Sequence, residues 1–241
     1  MNNQTCRRNP NYQAQSKPRA RSAGALTSAL ALLVVLAGHA GPAKGNDLVI
    51  AGEKAQASQH YRQAMADFRK AARTGSGRAM FNIGLLYDNG QGVAQNYTKA
   101  MLWYRKAAAA GNGLAMCNIG VLYAQSHGVP QDYTKALEWY RKGAAAGSEW
   151  AMDGIGDLYQ FGFGVPQDYT KAMEWYRKGA AAGSGWAMAL IGLLYQYGLG
   201  VPQDYSRATK WYKRAEKQGG KAGAFARKYI DQLRAAEANR Q

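Results

Sequence analysis

Cysteine and histidine are nearly absent. The 241 residues include two cysteines, Cys6 and Cys117, and three histidines, His39, His60 and His127. Cys6 falls in a leader expected to be removed, so the mature chain has no disulfide framework of its own, and Cys117 reads as a helix residue rather than a redox site. No two histidines have the close spacing of a zinc site or a nucleophile–base pair, which argues against a metal and leaves no cofactor expected. Acid is also short, with 15 Asp and Glu against 31 Lys and Arg for a net charge of +16. Five of the cations and none of the acids lie in the first forty residues, so the remainder still carries +11. That surplus favours an anionic partner or surface without choosing among them. What is present suffices for a fold: 47% of residues are hydrophobic and 19% charged, and the length suits one extended domain or at most two compact ones.

A dense apolar run occurs once, at Ala29–Ala37, after Arg7, Arg8, Lys17, Arg19 and Arg21 and before Gly38-His39-Ala40-Gly41. This charged, apolar, small-residue order is that of a secretory signal peptide, with cleavage after Ala40 or Ala43. Ser22 to Ala43 carries no Lys, Arg, Asp or Glu and approaches the roughly 20 residues that span a bilayer, so a retained anchor is the alternative. A mitochondrial presequence is the third reading, although the apolar block is too dense for an amphipathic helix. His39 stands where a lipoprotein box requires cysteine, which excludes lipidation there.

The rest of the chain repeats. Tyr97, Tyr133, Tyr169 and Tyr205 recur every 36 residues, and so do Trp103, Trp139, Trp175 and Trp211 with a tyrosine after each. Gly84, Gly120, Gly156 and Gly192 form another series at the same period. From Tyr97, the residues Ala100, Tyr104, Ala107 and Ala108 share one helical face. Asn96, Asp132, Asp168 and Asp204 stand ahead of these segments as N-caps, and Gly111, Gly147, Gly183 and Gly219 close them through a left-handed turn. Ser76, Asn112, Ser148 and Ser184 then cap a second helix, apolar on two adjoining faces as an inner helix between neighbours should be. Its recurrent glycine costs helix stability of about 1 kcal/mol and implies close backbone approach. Gly and Pro mark the turn back, at Gly162-Phe-Gly-Val-Pro-Gln-Asp168. Each unit is an all-α helical hairpin.

Ala187, Ile191-Gly192, Tyr195, Gly198-Leu-Gly-Val201, Asp204, Arg207-Ala208 and Trp211-Tyr212 resemble the pattern of Sel1-like repeats, relatives of tetratricopeptide repeats, and the match runs from about Tyr61 to Gly219. The resemblance implies a right-handed α-solenoid of about five helix-turn-helix repeats that binds proteins, of a type often found outside the cytoplasm in bacteria. The chain divides into residues 1–40 as leader or anchor, 41–56 as linker and start of the first helix, 57–220 as repeats and 221–241 as capping helix and tail. Asp67 and Phe68 in the first unit, and Arg227 and Lys228 in the last helix, depart from the pattern as terminal caps do. Ser126 replaces a turn glycine. Some cysteine-rich secreted relatives are described as β-lactamase-like, yet no serine here has lysine three positions on, as a Ser-x-x-Lys nucleophile needs, and the paired cysteines are missing. The expected function is a non-enzymatic exported scaffold or adaptor for a protein partner.

Two surfaces are candidates for that partner. Lys99-Trp103-Lys106, Lys135-Trp139-Lys142, Lys171-Trp175-Lys178 and Arg207-Trp211-Arg214 form i, i+4, i+7 stripes that stacking would align into a basic aromatic strip. Such a strip suits an acidic protein or an anionic polymer such as a glycan, export making nucleic acid the weaker choice. Repetition favours the other reading, in which each Trp packs between repeats beneath solvated lysine stems, because structural positions recur in a solenoid and binding positions often vary. The second candidate is where the units differ: Trp150 and Trp186 replace Arg78 and Leu114, and Phe161, Phe163, Tyr197 and Leu199 occupy the later turns. Exposed, these residues form an interaction patch; buried, they are inter-repeat packing. Membrane contact is expected only if the leader is retained.

Overall fold

The computed structural model describes residues 45–238, and among them the regular structure is entirely helical: Gly45–Ala57 (α1), Tyr61–Arg73 (α2), Gly77–Asn89 (α3), Tyr97–Ala109 (α4), Gly113–Ala124 (α5), Tyr133–Ala145 (α6), Glu149–Phe161 (α7), Tyr169–Ala181 (α8), Gly185–Tyr197 (α9), Tyr205–Gln218 (α10) and Gly220–Ala238 (α11). The segment read as signal peptide or anchor lies outside these residues. Five hairpins, α2/α3 through α10/α11, follow α1, which fills most of the segment expected to be linker. Each helix packs on its neighbours in sequence, and among the second helices α5 also touches α7 and α9 touches α11.

The caps act where the sequence places them. Asn96, Asp132 and Asp168 accept the backbone N–H three residues on at 2.9 Å, and Asp204 does so at 2.7 Å. Asn112 and Ser184 cap the inner helices in the same way, at 2.8 and 3.0 Å. Gly111, Gly147 and Gly183 take φ of +81°, +82° and +101°, turning the chain where a side chain would be strained. In the turns back, Gln95, Gln131, Gln167 and Gln203 donate from Nε2 to a carbonyl at the end of the preceding inner helix, at 2.7 to 2.8 Å. This satisfies acceptors that the helix end leaves open. Ser126 keeps the left-handed shape of the glycine it replaces, with φ of +58° and its hydroxyl donating to the Val129 carbonyl at 3.3 Å.

The glycine series of the inner helices is explained by tyrosine. A β-carbon on Gly84, Gly120 or Gly192 would lie 2.5 to 2.6 Å from the ring of Tyr104, Tyr140 or Tyr212, and one on Gly156 would overlap Tyr176. Each tyrosine comes from the first helix of the next hairpin and is nearly or fully buried. Tyr104 donates its hydroxyl to Asp88 at 2.9 Å and Tyr212 to Gln196 at 2.7 Å, while Tyr176 has one hydroxyl proton between two acceptors, Asp157 at 2.7 Å and Gln160 at 2.8 Å. Where Phe68 replaces this tyrosine, Gly52 faces the ring and no acceptor is needed. Lys228 stands at the glycine position of the last helix and is exposed, with no further hairpin among the described residues packed against it.

Candidate functional site

The basic aromatic strip forms, and it is engaged with the protein itself. Trp103, Trp139, Trp175 and Trp211 are half-buried on the outer helices. Lys106, Lys142, Lys178 and Arg214 each lie over the indole three residues earlier, with the charge 4.6, 4.3, 4.0 and 4.6 Å from the ring centroid. Lys99, Lys135, Lys171 and Arg207 reach back over Tyr87, Tyr123, Tyr159 and Tyr195 of the preceding inner helix at 5.5 to 5.7 Å. Three of them also pair with the caps: Lys135 with Asp132 at 2.9 Å, and Lys171 with Asp168 and Arg207 with Asp204 at 3.2 Å. The Asp132 and Asp168 carboxyls are held below their usual range, first by the backbone N–H they accept and then by the lysine. On the other side, Arg69, Arg105 and Arg177 donate to the hydroxyls of Tyr87, Tyr123 and Tyr195 at 3.1 to 3.3 Å.

Of these contacts, the pairs of Lys99, Lys135, Lys171 and Arg207 with the tyrosines tie each hairpin to the one before it, while the others act within a helix or a hairpin. Exposed cation–π pairs are worth about 0.5 to 1 kcal/mol and exposed ion pairs less. The strip therefore adds a modest, repeated clamp while its cationic ends stay exposed.

The aromatic residues of the later units divide. Phe163 stacks on Tyr133 at 5.0 Å and on Phe161 at 5.7 Å, and Leu199 packs against the core. Trp186 meets Phe225 of α11 at 5.3 Å, and Phe225 meets Tyr229 at 4.7 Å. Tyr197, in contrast, is 56% exposed, and the other exposed large hydrophobics among the described residues are Leu102 at 53% and Ile50 at 40%. Trp150 is half-buried and lines an open cleft of about 390 Å³ between the starts of α5 and α7, with Leu114, Ser148 and Glu149. Burial pushes the Glu149 carboxyl above its ordinary range.

Trp150 and Phe161 share one line of α7, and Trp186, Leu193 and Tyr197 share the same line of α9, at i, i+7 and i+11. The structure extends this face through Phe225 and Tyr229, which the sequence reading passed over. The signal was the repeat itself, since they stand one period after Ala189 and Leu193. Burial raises the Tyr229 hydroxyl pKa, and the neighbouring Tyr197 adds to it.

Among the described residues no group of three His, Cys, Asp or Glu could hold a metal ion, and no helix is long and apolar enough to cross a membrane. The fold and its surfaces define an α-solenoid of stacked helical hairpins. Sel1 repeat models match residues 77–112, 113–148, 151–184 and 187–220, more than half of the chain, which therefore belongs to the Sel1 repeat family. A Sel1 repeat protein from Oxalobacter formigenes is similar in structure, with 30% identity and a TM-score of 0.67, over 80% of this chain and 88% of that one. The protective antigen c5321 of uropathogenic Escherichia coli strains is 28% identical with a TM-score of 0.65, over 78% of this chain and 41% of its own. Immunity protein Pa5087 from Pseudomonas aeruginosa, 24% identical with a TM-score of 0.53 over 67% of this chain and 60% of that one, shares the fold. No curated protein matches. Sel1 repeats generally bind protein partners, and the fold is typically a scaffold without catalytic activity.

Proposed function

We propose that this chain is a non-enzymatic, exported scaffold that holds a protein partner on the aromatic inner face of its third and fourth hairpins. The observation that carries the reading is the Trp150–Phe161 and Trp186–Tyr197 lines, which fall at positions that vary between units while structural positions repeat. Tyr197 stays exposed on that face and Trp150 borders an open cleft. Large aromatics at the edge of a cleft are the residues on which binding energy concentrates. Export is proposed from the order of residues 1–40, with an anchor that leaves the repeats outside the cytoplasm as the alternative.

The test is an affinity pull-down of the mature form from its native compartment, repeated with Trp150→Ala and Tyr197→Ala. The partner should be lost or weakened by about 2 kcal/mol or more while circular dichroism is unchanged. A partner retained at parental affinity by both folded variants removes this face as the site. Sequencing the secreted or envelope form should place its N-terminus near Gly41 or Lys44; an intact cytoplasmic chain from Met1 would refute export. Binding through the outer strip to an anionic polymer is the second reading, because Lys135, Lys171 and Arg207 keep side-chain exposures of 55%, 56% and 63% despite their pairing. That mode weakens steeply and regularly with salt, whereas aromatic anchoring survives moderate salt.

A further inference from the structure

The last hairpin carries four cations on a face where the first helices of the earlier hairpins carry two or three: α2 has Arg69, Lys70 and Arg73 there, and α4 has Arg105 and Lys106. Where α6 has Glu138, Arg141, Lys142 and Ala145, and α8 has Glu174, Arg177, Lys178 and Ala181, α10 has Lys210, Lys213, Arg214 and Lys217. At about 100° per residue these four positions span about 100° of arc on one face, and all four are exposed in α10. None of the three lysines has a carboxylate in ion-pair range among the described residues, and Arg214 lies over Trp211. The one acid of α10, Glu216, is held by Arg227 at 2.8 Å.

A terminal unit needs a polar outer face, but mixed charge would serve that need equally well. Four cations at i, i+3, i+4 and i+7 instead repel one another and weaken their own helix. An anionic neighbour removes that penalty.

We propose that this face of α10 docks an acidic segment of a protein partner, with Lys210, Lys213 and Lys217 supplying the attraction. The proposal rests on the scaffold reading and adds the chemistry of what is held. Charge complementarity sets the sign of the partner. A bilayer fits less well, because the large hydrophobics exposed among the described residues are Ile50, Leu102 and Tyr197, none of them on α10 to enter lipid. The rise from Lys210 to Lys217 is about 10 Å, the reach of three or four extended residues. A short acidic stretch fills it.

The test uses the full mature chain and a fluorescent Glu-Ser repeat peptide, followed by anisotropy at moderate salt. The combined Lys210→Glu, Lys213→Glu and Lys217→Glu variant should lose at least about tenfold in affinity. A control with the same change in net charge at exposed cations of α1 and α2 outside both candidate surfaces, Lys54→Glu, Arg62→Glu and Arg73→Glu, should lose about threefold or less, since long-range charge is screened beyond about 8 to 10 Å. Glutamine at the three α10 positions gives an intermediate loss and keeps the comparison valid if the glutamate variant unfolds. Equal losses from both triple variants, or no loss from either, overturn the proposal. So does tighter binding to phosphatidylserine vesicles or to duplex DNA than to the peptide. If the peptide result fails while a pulled-down partner still depends on Trp150 and Tyr197, the α10 surface falls and the scaffold reading stands.

Discussion

Replacing Gly156 by alanine sets two effects of known sign against each other. Alanine in a helix interior is favoured over glycine by about 1 kcal/mol, so propensity alone predicts stabilisation. The new methyl group, however, would overlap the ring of Tyr176. That ring is fully buried, and its one hydroxyl proton is shared between Asp157 and Gln160. Withdrawing it would loosen that buried hydrogen bond, while pushing α7 from α8 would open the seam between hairpins. Overpacking costs about 1 to 3 kcal/mol, and loss of a buried hydrogen bond about 1 to 3 kcal/mol. Net of propensity, Gly156→Ala should destabilise by about 1 to 5 kcal/mol. Urea unfolding followed by circular dichroism measures this, and the comparison that isolates the cause is the same change in a Tyr176→Leu background. There the ring is gone, and alanine should be neutral or stabilising. If Gly156→Ala raises the midpoint in the parent protein, the ring is not fixed against the helix, and the account of the glycine series is wrong.

Asn96→Ala removes the cap of α4 and should cost about 1 kcal/mol, read as a lower urea midpoint; an unchanged midpoint would mean that the cap contributes nothing. Asn118 is 1% exposed with neither amide atom hydrogen-bonded within the described protein, whereas Leu190 fills the corresponding place in α9. Asn118→Leu should therefore stabilise by about 1 to 3 kcal/mol in the same assay. Glu149 has its folded pKa raised by burial, so its contribution to stability is fully present below the unfolded carboxyl pKa and is lost as pH rises through the folded value. Glu149→Gln should raise the thermal midpoint at neutral pH and leave it unchanged in acid, and a fall at neutral pH would show that the carboxylate makes a needed contact.

The repeat period, the hairpin and the caps follow from sequence alone because each rests on local chemistry, and the resemblance to Sel1-like repeats implied the solenoid. Asn96 and Asp168 cap by reaching three residues along their own chain, and Gly111 and Gly183 turn by a backbone angle that glycine permits. Such interactions recur wherever the residues recur. That glycine marks close approach was also legible, but its neighbour was not, because Tyr176 lies in the next hairpin and its distance from Gly156 depends on how the hairpins stack. The same limit applied to the candidate surfaces. Spacing aligned Lys171, Trp175 and Lys178 and placed Lys171 within reach of Asp168, yet only the stacked structure put Lys171 over Tyr159 of the preceding hairpin, deciding between an open strip and a clamp between repeats. Phe225 and Tyr229 joined the aromatic face because α11 folds back beside α9, which the spacing within α11 does not encode. Burial decided the rest: Phe163 and Trp186 found aromatic neighbours and Tyr197 kept an exposed ring, a division set by which helix lies opposite each side chain.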